Sequence, residues 1–126
     1  VHGMSRPIGA VFHVPHGLSN AVLLPTVTRY SVPAAVSRYA TVSRLLGCCS
    51  PDTSDEAAAS ALVDGLTQLN ADLHVPRLRD CRGVDEGRFR TLLTKMATDA
   101  LASGSPQNNP RVPSAEEIVS LYQAAW

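Results

Sequence analysis

Apolar residues in the second half of the chain recur at intervals of three and four, the repeat of a helix that buries one face. Leu62, Leu66, Leu69 and Leu73 form the first such stripe, and the Thr53 to Glu56 spacing ahead of it matches an S/T-x-x-E capping box. Phe89, Leu92, Leu93, Met96, Ala100 and Leu101 form the second, with Arg88, Arg90, Lys95 and Asp99 on the opposite side. Ser114 and Glu117 make another capping box after Pro113. Ile118, Leu121, Tyr122, Ala125 and Trp126 carry a third stripe to the last residue, which predicts a docked terminus.

The first half follows the same logic less regularly. Leu18 to Thr28 is apolar almost all round, the mark of a helix covered on most sides. Ser31 and Pro33 suit an N-cap region and an early helical position, and Val36, Tyr39, Ala40 and Leu46 predict a helix that stops near Gly47. Pro51-Asp52, Val75-Pro76 to Gly83, and Ser103 to Pro113 read as loops. No stretch alternates as a strand does. The expectation is an all-α bundle of five or six helices in one domain of 126 residues.

Charge and cysteine content narrow the classes of partner. Eleven Lys/Arg balance eleven Asp/Glu, so there is no basic footprint for nucleic acid or an anionic membrane surface. The longest apolar run is too short to span a bilayer and no secretory leader is visible. Cys48, Cys49 and Cys81 are odd in number and two are adjacent, which argues against a disulfide framework and for a reducing, cytoplasmic setting. The chain opens Val1-His2-Gly3 without a methionine, as a processed product, a trimmed tag or a fragment would.

His2, His13 and His16 lie close together in sequence, beside Gly3, Gly9, Pro15 and Gly17. Imidazole is a common ligand for zinc and iron. On one straight helix positions 2 and 16 would be roughly 21 Å apart, so a shared ion requires the chain to turn between them. Pro15-His16-Gly17 offers that turn, with His2 projecting from one helix and His16 from the start of the next. No Asp, Glu or Cys stands between them, so any site is half a site. Spacing alone leaves open that these are ordinary surface or capping histidines.

The segment HGMSRPIGAVFHVPHGLSNAVLLP resembles the signature of the iron-containing (group III) alcohol dehydrogenases: His, three residues, His, two residues, Gly, six residues, His-Gly. His2, Gly9, His16 and Gly17 keep that register, followed by Asn20-Ala21 and Leu23-Leu24-Pro25. The closing stretch from Ala100 through SGSPQNNPRVPSAEEIVSLYQAAW is similar to the family's last segment. The resemblance implies the C-terminal helical part of a dehydroquinate synthase-like, iron alcohol dehydrogenase fold. It also implies a catalytic Fe(II) or Zn held by an Asp and three histidines, in a cleft against a nucleotide-binding domain. His2 and His16 match the last two ligands, and the other two belong to an upstream helix. In such enzymes the metal polarises the oxygen of a small alcohol or aldehyde while NAD(P) exchanges the hydride.

One position departs from the pattern. Four residues after His2, where the middle histidine belongs, stands Arg6, whose guanidinium cannot shuttle protons near neutral pH. Arg6 is instead suited to a carboxylate or phosphate of substrate or cofactor, or to simple solvation. The resemblance further makes His13, Ala102 and Ser103 possible pocket residues, while His74 reads as a surface histidine and the cysteines as small packing residues. Gly3 and Gly9 do not make a dinucleotide fingerprint. These residues alone are therefore expected neither to bind NAD(P) nor to turn over alcohol. The rival readings are a non-catalytic helical module from a truncated gene and a simple metal-binding domain. A helical part deprived of its covering segments is also expected to form a homo-oligomer, through Leu18 to Leu24 and the Trp126 stripe.

Overall fold

A computed structural model describes all residues from Val1 to Trp126. Six α-helices follow in chain order: α1 His2–Phe12, α2 His16–Ser31, α3 Val36–Leu45, α4 Asp55–Asp72, α5 Glu86–Ala102 and α6 Ala115–Ala124. Short 3-10 turns at Val32–Ala34, Leu78–Asp80 and Ser105–Asn108 join them, and there is no strand. The bundle is all-α, as the periodicity predicts.

The main core is built by α1, α2, α5 and α6. Ile8, Leu23, Leu78, Met96, Ile118 and Tyr122 are among the side chains closed off from solvent. Tyr122 is apolar in body and polar at its tip, and its buried hydroxyl donates to the Met4 carbonyl at 2.6 Å, tying the last helix to the first. Trp126 stacks on Phe89 with ring centres 4.2 Å apart, so the chain's end is docked as the last stripe predicts. Gly3 permits the close approach of the 105–108 turn: a Cβ there would meet the Pro106 ring at 2.9 Å.

The capping chemistry agrees at one helix and shifts at another. Ser114 and Glu117 form the reciprocal capping box of α6. At α4 the cap is Ser54 rather than Thr53, its hydroxyl accepting from the Ala57 amide, so the helix begins one residue later than the Thr53–Glu56 pairing implies. Ser31 stands at the N-cap of the Val32–Ala34 3-10 turn, with Pro33 in its first positions, but makes no side-chain cap bond: it also closes the last turn of α2, buried, and donates to the Val27 carbonyl at 2.8 Å. α3 starts instead at Ala35 without a side-chain cap, and Gly47, with φ +71, ends that region as expected.

The apolar stripe of α4 is only partly used. α3 and α2 cover the face carrying Ala58, Ala59, Leu62 and Val63. Leu69 and Leu73 stay 50% and 66% exposed. Nothing from Leu18 to Thr28 is fully exposed, but Leu18, Ala21 and Leu24 are only half-buried. Leu18 to Leu24 and the Trp126 stripe are thus largely covered by the chain's own helices.

Pro25 stands inside α2 and has no N–H to give the Ala21 carbonyl. Asn70 of α4 fills that gap, its Nδ2 donating to the Ala21 oxygen at 2.8 Å. This bond locks the α3–α4 hairpin to the helix that begins with His16.

Candidate metal centre and adjoining cleft

The reversal between α1 and α2 brings two of the sequence's histidines together. His13, in the left-handed region at φ 58, closes α1 with its amide on the Gly9 carbonyl. Val14 is buried beneath the turn, and α2 opens at His16. His2 and His16, both at helix starts, thus face each other with ring centres 5.2 Å apart and planes inclined by 52°. His13 lies at the other end of α1 and does not join them.

Two polar neighbours flank the ring of His16. The buried Ser5 hydroxyl donates to the His2 carbonyl at 3.0 Å, and its oxygen lies 3.4 Å from His16 Nδ1. With the hydroxyl proton committed to the carbonyl, Ser5 can only accept, which favours a proton on Nδ1 and leaves the lone pair on Nε2. Asn20 meets that Nε2 through Nδ2 at 3.0 Å, while its own Oδ1 is buried without a partner.

This donor set fits half of a metal site. Two imidazoles on one tetrahedral ion, with metal–nitrogen bonds of about 2.1 Å, place their ring centres roughly 5 Å apart. The His2–His16 spacing matches. No group of three or more His, Cys, Asp or Glu side chains gathers anywhere in the chain.

Beside His2 opens a cleft of about 410 Å3, with Met4, Val27, Leu121 and Pro113 on its apolar side and Arg6, Tyr30 and Asn108 among its polar residues. Arg6 is one helical turn beyond His2 and exposed. Tyr30 carries a buried hydroxyl without a hydrogen-bond partner. Desolvation first, and then the neighbouring Glu117, raise its pKa. Arg111 lies over the Tyr30 ring at 4.0 Å and pairs with Glu117 at 2.7 Å. The Glu117 carboxyl is held below its ordinary range, chiefly by the Ser114 backbone amide. Asn109 fixes this wall by donating to Ser31 Oγ and to the Arg111 carbonyl.

Of the other predicted pocket residues, Ser103 borders Gly3, its Oγ standing 3.1 Å from where a Cβ would lie. Ala102 is exposed at the end of α5 and does not line this cleft. Ser5, Tyr30 and Asn108 escaped sequence reasoning. Ser5 carried one readable signal, its position three residues after His2 and so on a neighbouring helical face.

The fold is an all-helical bundle that opens with two neighbouring imidazoles, one of which borders the cleft. The match to known proteins is more specific. The model of the Fe-containing alcohol dehydrogenase family, C-terminal, covers residues 1–126, and the chain belongs to that family. It is 38% identical over 127 residues to lactaldehyde reductase of Escherichia coli (strain K12), covering 100% of this chain and 32% of that protein. It is 35% identical to 1,3-propanediol dehydrogenase of Klebsiella pneumoniae, with the same coverage. The crystal structure of a 1,3-propanediol oxidoreductase superposes with a TM-score of 0.89 at 35% identity, over 99% of this chain and 32% of that one. The chain thus spans about a third of the length of the relatives that it matches.

Proposed function

We propose that these residues are the C-terminal helical part of a metal-dependent, NAD(P)-linked alcohol dehydrogenase acting on a small alcohol or aldehyde. The observation that carries the reading is the convergence of His2 and His16 in a chain of this family. His2 and His16 would hold an Fe(II) or Zn ion, with Ser5 orienting His16 from behind. The ion, when bound, supplies Lewis acidity at the substrate oxygen.

The chain's own residues bind and orient. His16 Nε2 lies 3.0 Å from Asn20 Nδ2, so Asn20 has to turn aside for an ion to reach that nitrogen, and the apolar side of the cleft beside His2 receives the carbon skeleton of the substrate. Arg6 contributes a fixed positive charge rather than a proton. Two imidazoles without a carboxylate leave an ion mostly hydrated, so the complete site needs further ligands. Hydride exchange needs a nucleotide-binding part, and the isolated 126 residues contain no strand from which to build one. The three free cysteines suit a reducing, cytoplasmic setting.

Calorimetry of the isolated chain with Co(II) and Zn(II) tests the reading. Weak binding that disappears in the His2→Ala, His16→Ala double variant is expected, together with no NAD(P)-linked turnover of alcohols after metal addition. Tight binding that survives both replacements, or turnover that follows the protein through purification, overturns it.

A further inference from the structure

Every cationic side chain that makes an ion pair in this chain does so away from the His2 helix: Arg44, Arg77, Arg90, Lys95 and Arg111 have carboxylate partners. Arg6, like Arg29, Arg38, Arg79, Arg82 and Arg88, has none, and it is the one of these that lines this cleft, where no lining residue is acidic. A permanently charged fork thus faces a concavity with no internal counter-charge. In the same lining, Val27 and Leu121 offer apolar surface suited to methylene groups, and Asn108 adds an amide.

We propose that Arg6 is a specificity-determining residue that binds the carboxylate of a short hydroxy acid or the corresponding oxo acid. This rests on the alcohol dehydrogenase reading and narrows its substrate class. His2 and Arg6 are four residues apart on one helix, so their Cβ atoms are separated by roughly 5–6 Å. A substrate whose oxygen lies at His2 and whose carboxylate is held by Arg6 is therefore a short one, spanning neighbouring positions of one helical turn. A histidine at position 6 would lose its charge near neutral pH; arginine keeps it and grips a carboxylate bidentately.

Heteronuclear NMR titration of the chain tests this, with γ-hydroxybutyrate as probe, the matching butanediol as neutral control and inorganic phosphate as rival anion. The hydroxy acid should shift the amides of Arg6, His2 and Asn108 saturably, the diol should not, and Arg6→Gln should weaken binding about tenfold or more. An equal response to the diol, unchanged affinity in Arg6→Gln, or phosphate binding more tightly than the acid overturns the proposal, the last in favour of a cofactor phosphate. Co(II)-induced shifts at His2 and His16, followed in the Arg6→Gln chain, report the metal reading separately. Intact Co(II) shifts without acid binding sink this inference alone, whereas acid binding at Arg6 without Co(II) shifts sinks the metal reading alone.

Discussion

The Ser5 hydroxyl lies 3.4 Å from His16 Nδ1 while it donates to the His2 carbonyl, so one small buried side chain touches both halves of the histidine pair. Its replacement should act on His16 more than on the fold. Ser5→Ala removes one hydroxyl and no packing carbon, at a stability cost of about 1 kcal/mol. Without that acceptor, the His16 ring should populate both neutral tautomers. Nitrogen chemical shifts of the ring check this: an Nδ1–H pattern in the parent chain should become averaged in the variant. Identical shifts in both would mean that Asn20 alone sets the tautomer.

The bond from Asn70 to the Ala21 carbonyl exists because Pro25 vacates that carbonyl. Asn70→Ala should leave the buried oxygen unpaired and cost about 1–3 kcal/mol in urea unfolding. Adding Pro25→Ala restores an N–H within α2, so the second replacement should recover much of the loss. The coupling between the two sites is the quantity to measure. Strict additivity would show that the carbonyl finds water once Asn70 is gone.

These two contacts also show where sequence reading stops. The 3.6-residue period identified α4, α5 and α6, and the Ser114–Glu117 box fixed the start of α6 correctly. In α4, Leu69 and Leu73 fit the period as well as Leu62 does, yet the buried face runs through Ala58 and Ala59 because α2 and α3 lie on that side. Periodicity reports that a face exists, and only packing decides which small residues let a neighbour approach. The same limit holds at the site. His2, His16 and Arg6 could be found from spacing and resemblance, whereas the roles of Ser5 and Asn70 depend on a ring nitrogen eleven residues away and a carbonyl forty-nine residues away.

Tyr122 should make the fold sensitive to alkali. Burial, with a smaller contribution from Asp99, raises its pKa above the ordinary tyrosine value of 10.0. Above about pH 10 the unfolded chain therefore holds fewer protons at this group than the folded one, and stability falls as pH rises. Tyr122→Phe loses the bond to the Met4 carbonyl and should cost about 1 kcal/mol at neutral pH. It should also flatten the alkaline decline, so that the gap between parent and variant narrows from about pH 8 to pH 11 in denaturant titrations. A gap that stays constant would mean that the phenol ionises without unfolding.

The most open apolar side chains lie away from Leu18–Leu24 and Trp126, of which none is fully exposed. Val42, Leu45 and Leu46 at the end of α3 are 42%, 82% and 62% exposed. Two copies covering these side chains would bury a few hundred Å2 of apolar surface, worth several kcal/mol at about 25 cal/mol per Å2. Association itself costs about 4–15 kcal/mol, so this patch supports at most a weak dimer rather than a permanent one. Sedimentation velocity from about 10 μM to 1 mM should accordingly show a monomer that shifts toward dimer only at the upper end. Leu45→Glu with Leu46→Glu should abolish the shift while leaving the helical signal intact, because neither side chain belongs to the core. A dimer that persists at the lowest concentration, or that survives the double replacement, would place the contact on another face, with the exposed Leu69 and Leu73 the next to replace.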